Sequence, residues 1–185
     1  MRTTTRSKTK AVRAAGWLAA VLAALSGPML RAQTVTQRGV PAPTYRAAFT
    51  VSCGGTGDCA TISFGSEVVR VEQVTVSGAS AQVVVSLIER TSADSGGTAG
   101  TAPTAVAMSS SDPPATATLA DYTVAPTAGT AAGTIAIATV AAGGTFTQNF
   151  STAGDQAPTL ESAGQSLAIN VSAAASLEVS IEWTE

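Results

Sequence analysis

From Tyr45 to Thr184 apolar and polar residues alternate with a period of two, the repeat of a strand with one buried and one wet face. The end of the chain carries the plainest version. In Leu177–Thr184, Leu177, Val179, Ile181 and Trp183 alternate with Glu178, Ser180, Glu182 and Thr184. In Leu167–Val171, Leu167, Ile169 and Val171 alternate with Ala168 and Asn170, and Ala173-Ala174-Ala175 between the two runs reads as a hairpin connection. Gln82–Arg90 turns Val83, Val85 and Leu87 inward. Val68–Ser77 contains a phase slip: Val69 and Val71 have one parity, Val74 and Val76 the other. One extra residue near Glu72-Gln73, a β-bulge, would return all four valines to the core face.

The remaining segments follow the same grammar. Tyr45–Ser52 and Ala60–Phe64 flank a glycine-rich loop and read as a hairpin. Thr116–Val124 and Gly133–Val140 are strands, the latter predicted to put Ile135 and Ile137 into the core. Gly143-Gly144 turns the chain into Thr145–Phe150, which offers Phe146 and Phe150 to the interior. Ala105–Met108 reads as a short edge strand. Residues 91–103 and 151–164 lack periodicity and read as surface loops, the first mobile, the second anchored by Leu160. Nine or ten strands without a helix in this part of the chain predict an all-β fold, an antiparallel β-sandwich of jelly-roll or Ig-like type. The domain is predicted over 45–185, with 33–44 a linker ending in Pro41 and Pro43.

Composition sharpens this picture. Aromatic residues make up 4% of the chain, so the core must be built from Val, Ile, Leu and Ala, which suits two closely pressed sheets. Charge divides the chain. Residues 1–46 hold eight basic residues and no acid, a net of +8, whereas 47–185 hold Arg70 and Arg90 against twelve acids, a net of −10. A body so poor in cations is not suited to grip a phosphate backbone, so no nucleic-acid contact is expected from it.

Residues 1–32 have the form of a secretory signal: a basic run from Arg2 to Arg13, the apolar stretch Trp17–Leu25, then small residues permitting cleavage after Ser26 or Ala32. The apolar stretch is shorter than the roughly 20 residues of a membrane-spanning helix, so no span is expected. The alternative is an upstream extension of the reading frame, with Met29 as the initiator.

Cys53 and Cys59 enclose Gly54-Gly55-Thr56-Gly57-Asp58. They are candidates for a local disulfide, whose loop closure would contribute on the order of 2 kcal/mol, or for two buried thiols. Two thiols without a histidine are too few for a zinc site.

Histidine is absent and no lysine follows Lys10, which removes Ser-His-Asp and Cys-His catalysis, histidine-bound metals and, from the body, Schiff-base chemistry. Paired carboxylates are what remains. Glu178 and Glu182 share one side of a strand about 13 Å apart, beyond the ~5–9.5 Å of a glycosidase pair, and read as solubilising charges. Asp94, Asp112 and Asp155 sit in turns where a calcium ion could bind, but without a spaced ligand set they are first of all turn formers. No catalytic residue, cofactor or metal site is therefore expected.

Several segments together carry a resemblance. They are Pro43–Ala48, Val68–Val71 leading into Val74–Gly78, Val85–Thr98, Asp112–Ala117, Tyr122–Thr134, Gly164–Asn170 and, most specific, Ser180–Glu185. Together they resemble small, mostly uncharacterised virion-associated proteins of tailed phages and prophages, over about residues 43–185. The resemblance implies a non-enzymatic structural component of a capsid or tail surface, partnered by itself as a homo-oligomer and by other virion proteins, and located in the virion. The basic leader and the cysteine pair lie outside the shared pattern. A genuine leader would instead favour a secreted binding or adhesion module.

Overall fold

Strands with alternate apolar residues need a second sheet to cover that face, and this chain supplies it by sending successive strands to opposite layers. The structure, a computed structural model, describes residues 42–150 and 157–185. The expected leader, most of the linker and Asp155 lie outside the described residues. Among those described are the strands β1 (Thr44–Cys53), β2 (Gly57–Ser63), β3 (Val69–Ser77), β4 (Val83–Arg90), β5 (Thr98–Ala99) and β6 (Val106–Ala107). They continue with β7 (Thr118–Val124), β8 (Ala131–Val140), β9 (Thr145–Asn149), β10 (Thr159–Leu160), β11 (Ser166–Val171) and β12 (Ala175–Thr184). All pairings are antiparallel and no helix is present among the described residues. The protein is an antiparallel β-sandwich.

Sheet A runs β3-β12-β1-β6, with β9 and β10 end to end along the outer edge of β3; sheet B runs β5-β7-β2-β11-β4-β8. Without β7 and the two-residue strands, the layers are β9-β3-β12-β1 and β8-β4-β11-β2. The chain crosses between layers at β1–β2, β2–β3, β3–β4, β8–β9, β10–β11 and β11–β12. This is jelly-roll winding. An Ig-type sandwich keeps sequence neighbours paired in one sheet, and here they are separated.

The two hairpins expected around the cysteines and around Ala173–Ala175 are corrected accordingly. β1 pairs with β12 and β6, β2 with β11 and β7, so the cysteine loop and the alanine run are corners between sheets. Alternation reveals a strand and its faces but carries no information on which strand lies beside it. Cys53 and Cys59 are bonded, with S–S at 2.09 Å, across the β1–β2 corner.

The bulge in β3 falls at Glu72. Val71 lies opposite Trp183 and Gln73 opposite Glu182, leaving Glu72 as the extra residue. Val69, Val71, Val74 and Val76 are all fully buried as a result. Val85, Leu87, Leu167, Ile169, Leu177, Val179, Ile181 and Trp183 are buried between the same two layers, and so is Leu160.

Ile135 and Ile137 are not in the core. They are 38% and 66% exposed. The register with β4 is the cause: Leu87 and Val85, which point inward, lie opposite Ala136 and Ala138, whereas Ile137 lies opposite outward Ser86. Ile135 falls at a register shift between the Ile88 and Leu87 pairings. The period of two holds in β8, and the face it turns inward is the opposite one. Small alanines take the inward positions, while Phe146 packs against the core and Phe150 is buried.

Candidate functional site

A body with two cations places one of them at the centre of a buried polar cluster. Arg90 ends β4 on the face of sheet B turned away from the hydrophobic core, across from Ser166 of β11. Asp58 lies on the same face, paired with Asn170, because a register shift in β2 leaves Cys59 free to turn toward Cys53. The Arg90 guanidinium donates from Nε to Asp58 Oδ2 at 3.1 Å and from Nη2 to Oδ1 at 2.8 Å, a two-pronged contact. Asn170 Nδ2 donates to Asp58 Oδ1 at 2.6 Å. Asp58 is wholly buried and Arg90 is 6% exposed.

Two loops close over this cluster. Arg90 Nη1 donates to the Gly129 carbonyl at 3.1 Å, and the Gly129 N–H donates to Asp94 Oδ1 at 2.8 Å. Ser95 and Thr127 exchange backbone hydrogen bonds at 3.0 and 2.8 Å, and the Thr130 N–H donates to Ser92 Oγ at 2.8 Å. A side chain on Gly129 would meet the carbonyl oxygens of Ser92 and Ala93, so this position needs glycine for close approach. The stretch 91–103, expected as a mobile loop, is instead stitched to residues 127–130 and contributes β5 to the edge of β7.

Burial raises the Asp94 carboxyl above its ordinary value. The Gly129 N–H pulls it down, neighbouring Asp58 pushes it up through charge, Arg90 pulls it down, and a hydrogen bond with Asp58 raises it again. Asp94 Oδ2 is buried and receives no hydrogen bond. Burial and the charge of Asp58 thus both favour the protonated form of Asp94. Burial, then the Asp94 charge, also raises the Tyr122 phenol, against a hydrogen bond with Thr61 that lowers it.

The cluster holds loops; its Asp58 has no side open to a solute. Two close carboxyls can serve as an acid–base pair, yet here Asp58 is paired with Arg90 and sealed in. Glu178 is exposed and Glu182 half-buried on the outer face of sheet A, four residues apart on one strand. Asp112 sits in a turn closed by its N–H to the Ser109 carbonyl at 3.1 Å. Among the described residues no group of three or more Asp, Glu, Cys or His side chains is gathered for a metal. No helix among them is long and apolar enough to cross a membrane.

A second polar knot lies at the opposite end of β12. Glu185 accepts the N–H groups of Thr116 at 2.7 Å and Ala117 at 2.9 Å, and the Trp183 indole N–H at 2.9 Å. Burial alone would raise this carboxyl, but the two backbone donors and the indole outweigh it, and its pKa is lowered. Trp183 stacks on Tyr45 with centroids 5.8 Å apart, and the Tyr45 hydroxyl donates to the Pro113 carbonyl at 3.0 Å. Trp183 is therefore a core residue with its polar edge satisfied. Sequence reasoning left out both knots. The rarity of arginine in the body was the available signal for Arg90; nothing in the local sequence announces the Glu185 clamp.

Beside β6, an open apolar groove is lined by Arg46, Phe49, Pro103, Val106 and Met108. Val106 and Met108 are 61% and 58% exposed. No family model, characterised protein or solved structure matches the chain.

Proposed function

We propose that this chain is a non-enzymatic structural protein of a phage particle, a jelly-roll unit that adds to the surface of a capsid or tail as a homo-oligomer. The observation that carries the reading is the winding itself. Two layers ordered β9-β3-β12-β1 and β8-β4-β11-β2 make a jelly roll, an architecture that recurs in viral capsid domains and also in lectins and cupins. The support is at the level of fold together with the sequence resemblance, and no residue role is transferred. The charged groups are consistent with it. Asp58, Arg90, Asp94 and Glu185 are spent on fastening loops to sheets, which suits a rigid part that works by shape.

The Cys53–Cys59 bond favours a second reading, a secreted binding module, because disulfides persist in oxidising compartments. Intact mass spectrometry of the native protein separates the two. Recovery from purified particles, with a chain beginning at Met29, supports the virion reading. Recovery from culture medium, beginning near Gly27 or Gln33 with the bridge formed, replaces it with the secreted one. Turnover of any substrate by the purified protein would refute both.

A further inference from the structure

Charge is distributed unevenly over the body, and one flank has none. Twelve acids and two arginines lie between residues 47 and 185, yet no charged residue occurs between Asp121 and Asp155. That interval contains β8 and β9, which are the edge strands of sheet B and sheet A on the same side of the sandwich, joined by the turn at Gly143. β8 is ten residues long and pairs with β4 on one side; among the described residues no strand pairs with its other side. It contains neither proline, lysine nor any acid. Monomeric sandwiches protect edges of this length with such residues, because unpaired N–H and C=O groups recruit another strand. Bulges also protect edges, and the two in β8 fall among residues 131–135; Ala136–Val140 pairs without interruption. On its outer face this regular run presents Ile137, 66% exposed, with Ile135 beside it and half-buried Ile88 and Val84 on the neighbouring strand.

We propose that β8 is a self-association surface, at which β8 of a second copy of this chain adds antiparallel and carries sheet B across two molecules. Charge selects this occupant and this flank. Two bodies of net −10 repel across any face that bears their acids, and the longest interval free of charge also carries a long open edge. An antiparallel strand pair is its own complement, so a single two-fold axis satisfies both edges and closes the assembly. The outward isoleucines of β8, unexplained by the core, then lie at the joint. This deepens the homo-oligomer part of the proposed function and rests on that reading for its biological setting only.

The test is light scattering on the full-length chain across a concentration series, comparing wild type with Ile137→Lys and, as a control of equal charge, Thr50→Lys on exposed β1. Wild type is expected to be dimeric. Ile137→Lys should weaken the dimer about tenfold or more, while Thr50→Lys leaves it intact and both keep the wild-type far-ultraviolet circular dichroism spectrum. A monomeric wild type overturns the proposal, as does a dimer sensitive to Thr50→Lys and indifferent to Ile137→Lys. In a monomeric sample, amide-exchange protection of those β8 N–H groups in Ala136–Val140 that point away from β4 also overturns it, since the chain's own residues would then cover the edge. Particle association is read separately. A monomer found in particles defeats the interface and spares the virion reading; a β8 dimer absent from particles does the reverse.

Discussion

Replacing Arg90 by methionine tests whether the buried cluster holds the fold together. The substitution keeps the stem's bulk and removes three hydrogen bonds: two to Asp58 at 3.1 and 2.8 Å, and one to the Gly129 carbonyl at 3.1 Å. Asp58, wholly buried, keeps Asn170 as a donor and has no countercharge left. The Arg90 and Asp58 side chains are 7% and 0% exposed, so water offers little screening. Breaking such a pair from one side costs about 3–5 kcal/mol, against a total of about 5–15 kcal/mol for a domain. With a urea dependence of about 2 kcal/mol per molar, the unfolding midpoint should fall by about 2 M. Urea titration followed by tryptophan emission and far-ultraviolet circular dichroism measures this, coincidence of the two probes licensing a two-state treatment. The double variant Asp58→Leu/Arg90→Met should recover much of the loss, because no charge remains buried. A single variant within about 1 kcal/mol of wild type, or a double variant as weak as the single, would refute the reasoning.

Three further outcomes follow from the same structure. Asp94 has its folded pKa raised above the ordinary 3.8, so the fold holds its proton; the resulting stability is fully present below that value and is lost as pH rises through the raised one. Asp94→Asn should flatten that decline in a series of melts, and an unchanged pH profile would count against the raised carboxyl. Cys53→Ala/Cys59→Ala should lose about 2 kcal/mol in chemical unfolding, the loop-closure contribution of a short ring, with unaltered far-ultraviolet spectrum. Gly129→Ala forces a methyl group against the Ser92 and Ala93 carbonyls and should cost about 1–3 kcal/mol; amide exchange at residues 91–97 should rise more than in the core strands, and uniform exchange would contradict a local role.

How much was legible without coordinates depends on the distance over which each feature is decided. Strand periods are local, so β3, β4, β11 and β12 could be placed from residue order, and the bulge at Glu72 appeared as a parity change among Val69, Val71, Val74 and Val76. The absence of histidine and of body lysines excluded whole classes of chemistry by composition. The charge split likewise needs only counting.

What remained belongs to pairing between distant residues. Alternation shows that Ile135 and Ile137 share a parity with each other and oppose Ala136 and Ala138; only register against Leu87 and Val85 decides which set faces inward. The cysteine loop looks the same locally whether it joins partners in one sheet or crosses between two, and only the pairing of β1 with β12 and of β2 with β11 and β7 reveals the crossing. Asp58, Arg90 and Asp94 are scattered along the chain and meet only where β2, β4 and a loop come together, and there burial raises the Asp94 carboxyl. Residue order thus determined the strands, their period and the chemistry unavailable to them. Tertiary structure decided which faces meet, because a side chain's surroundings are set by strands that the sequence places far away.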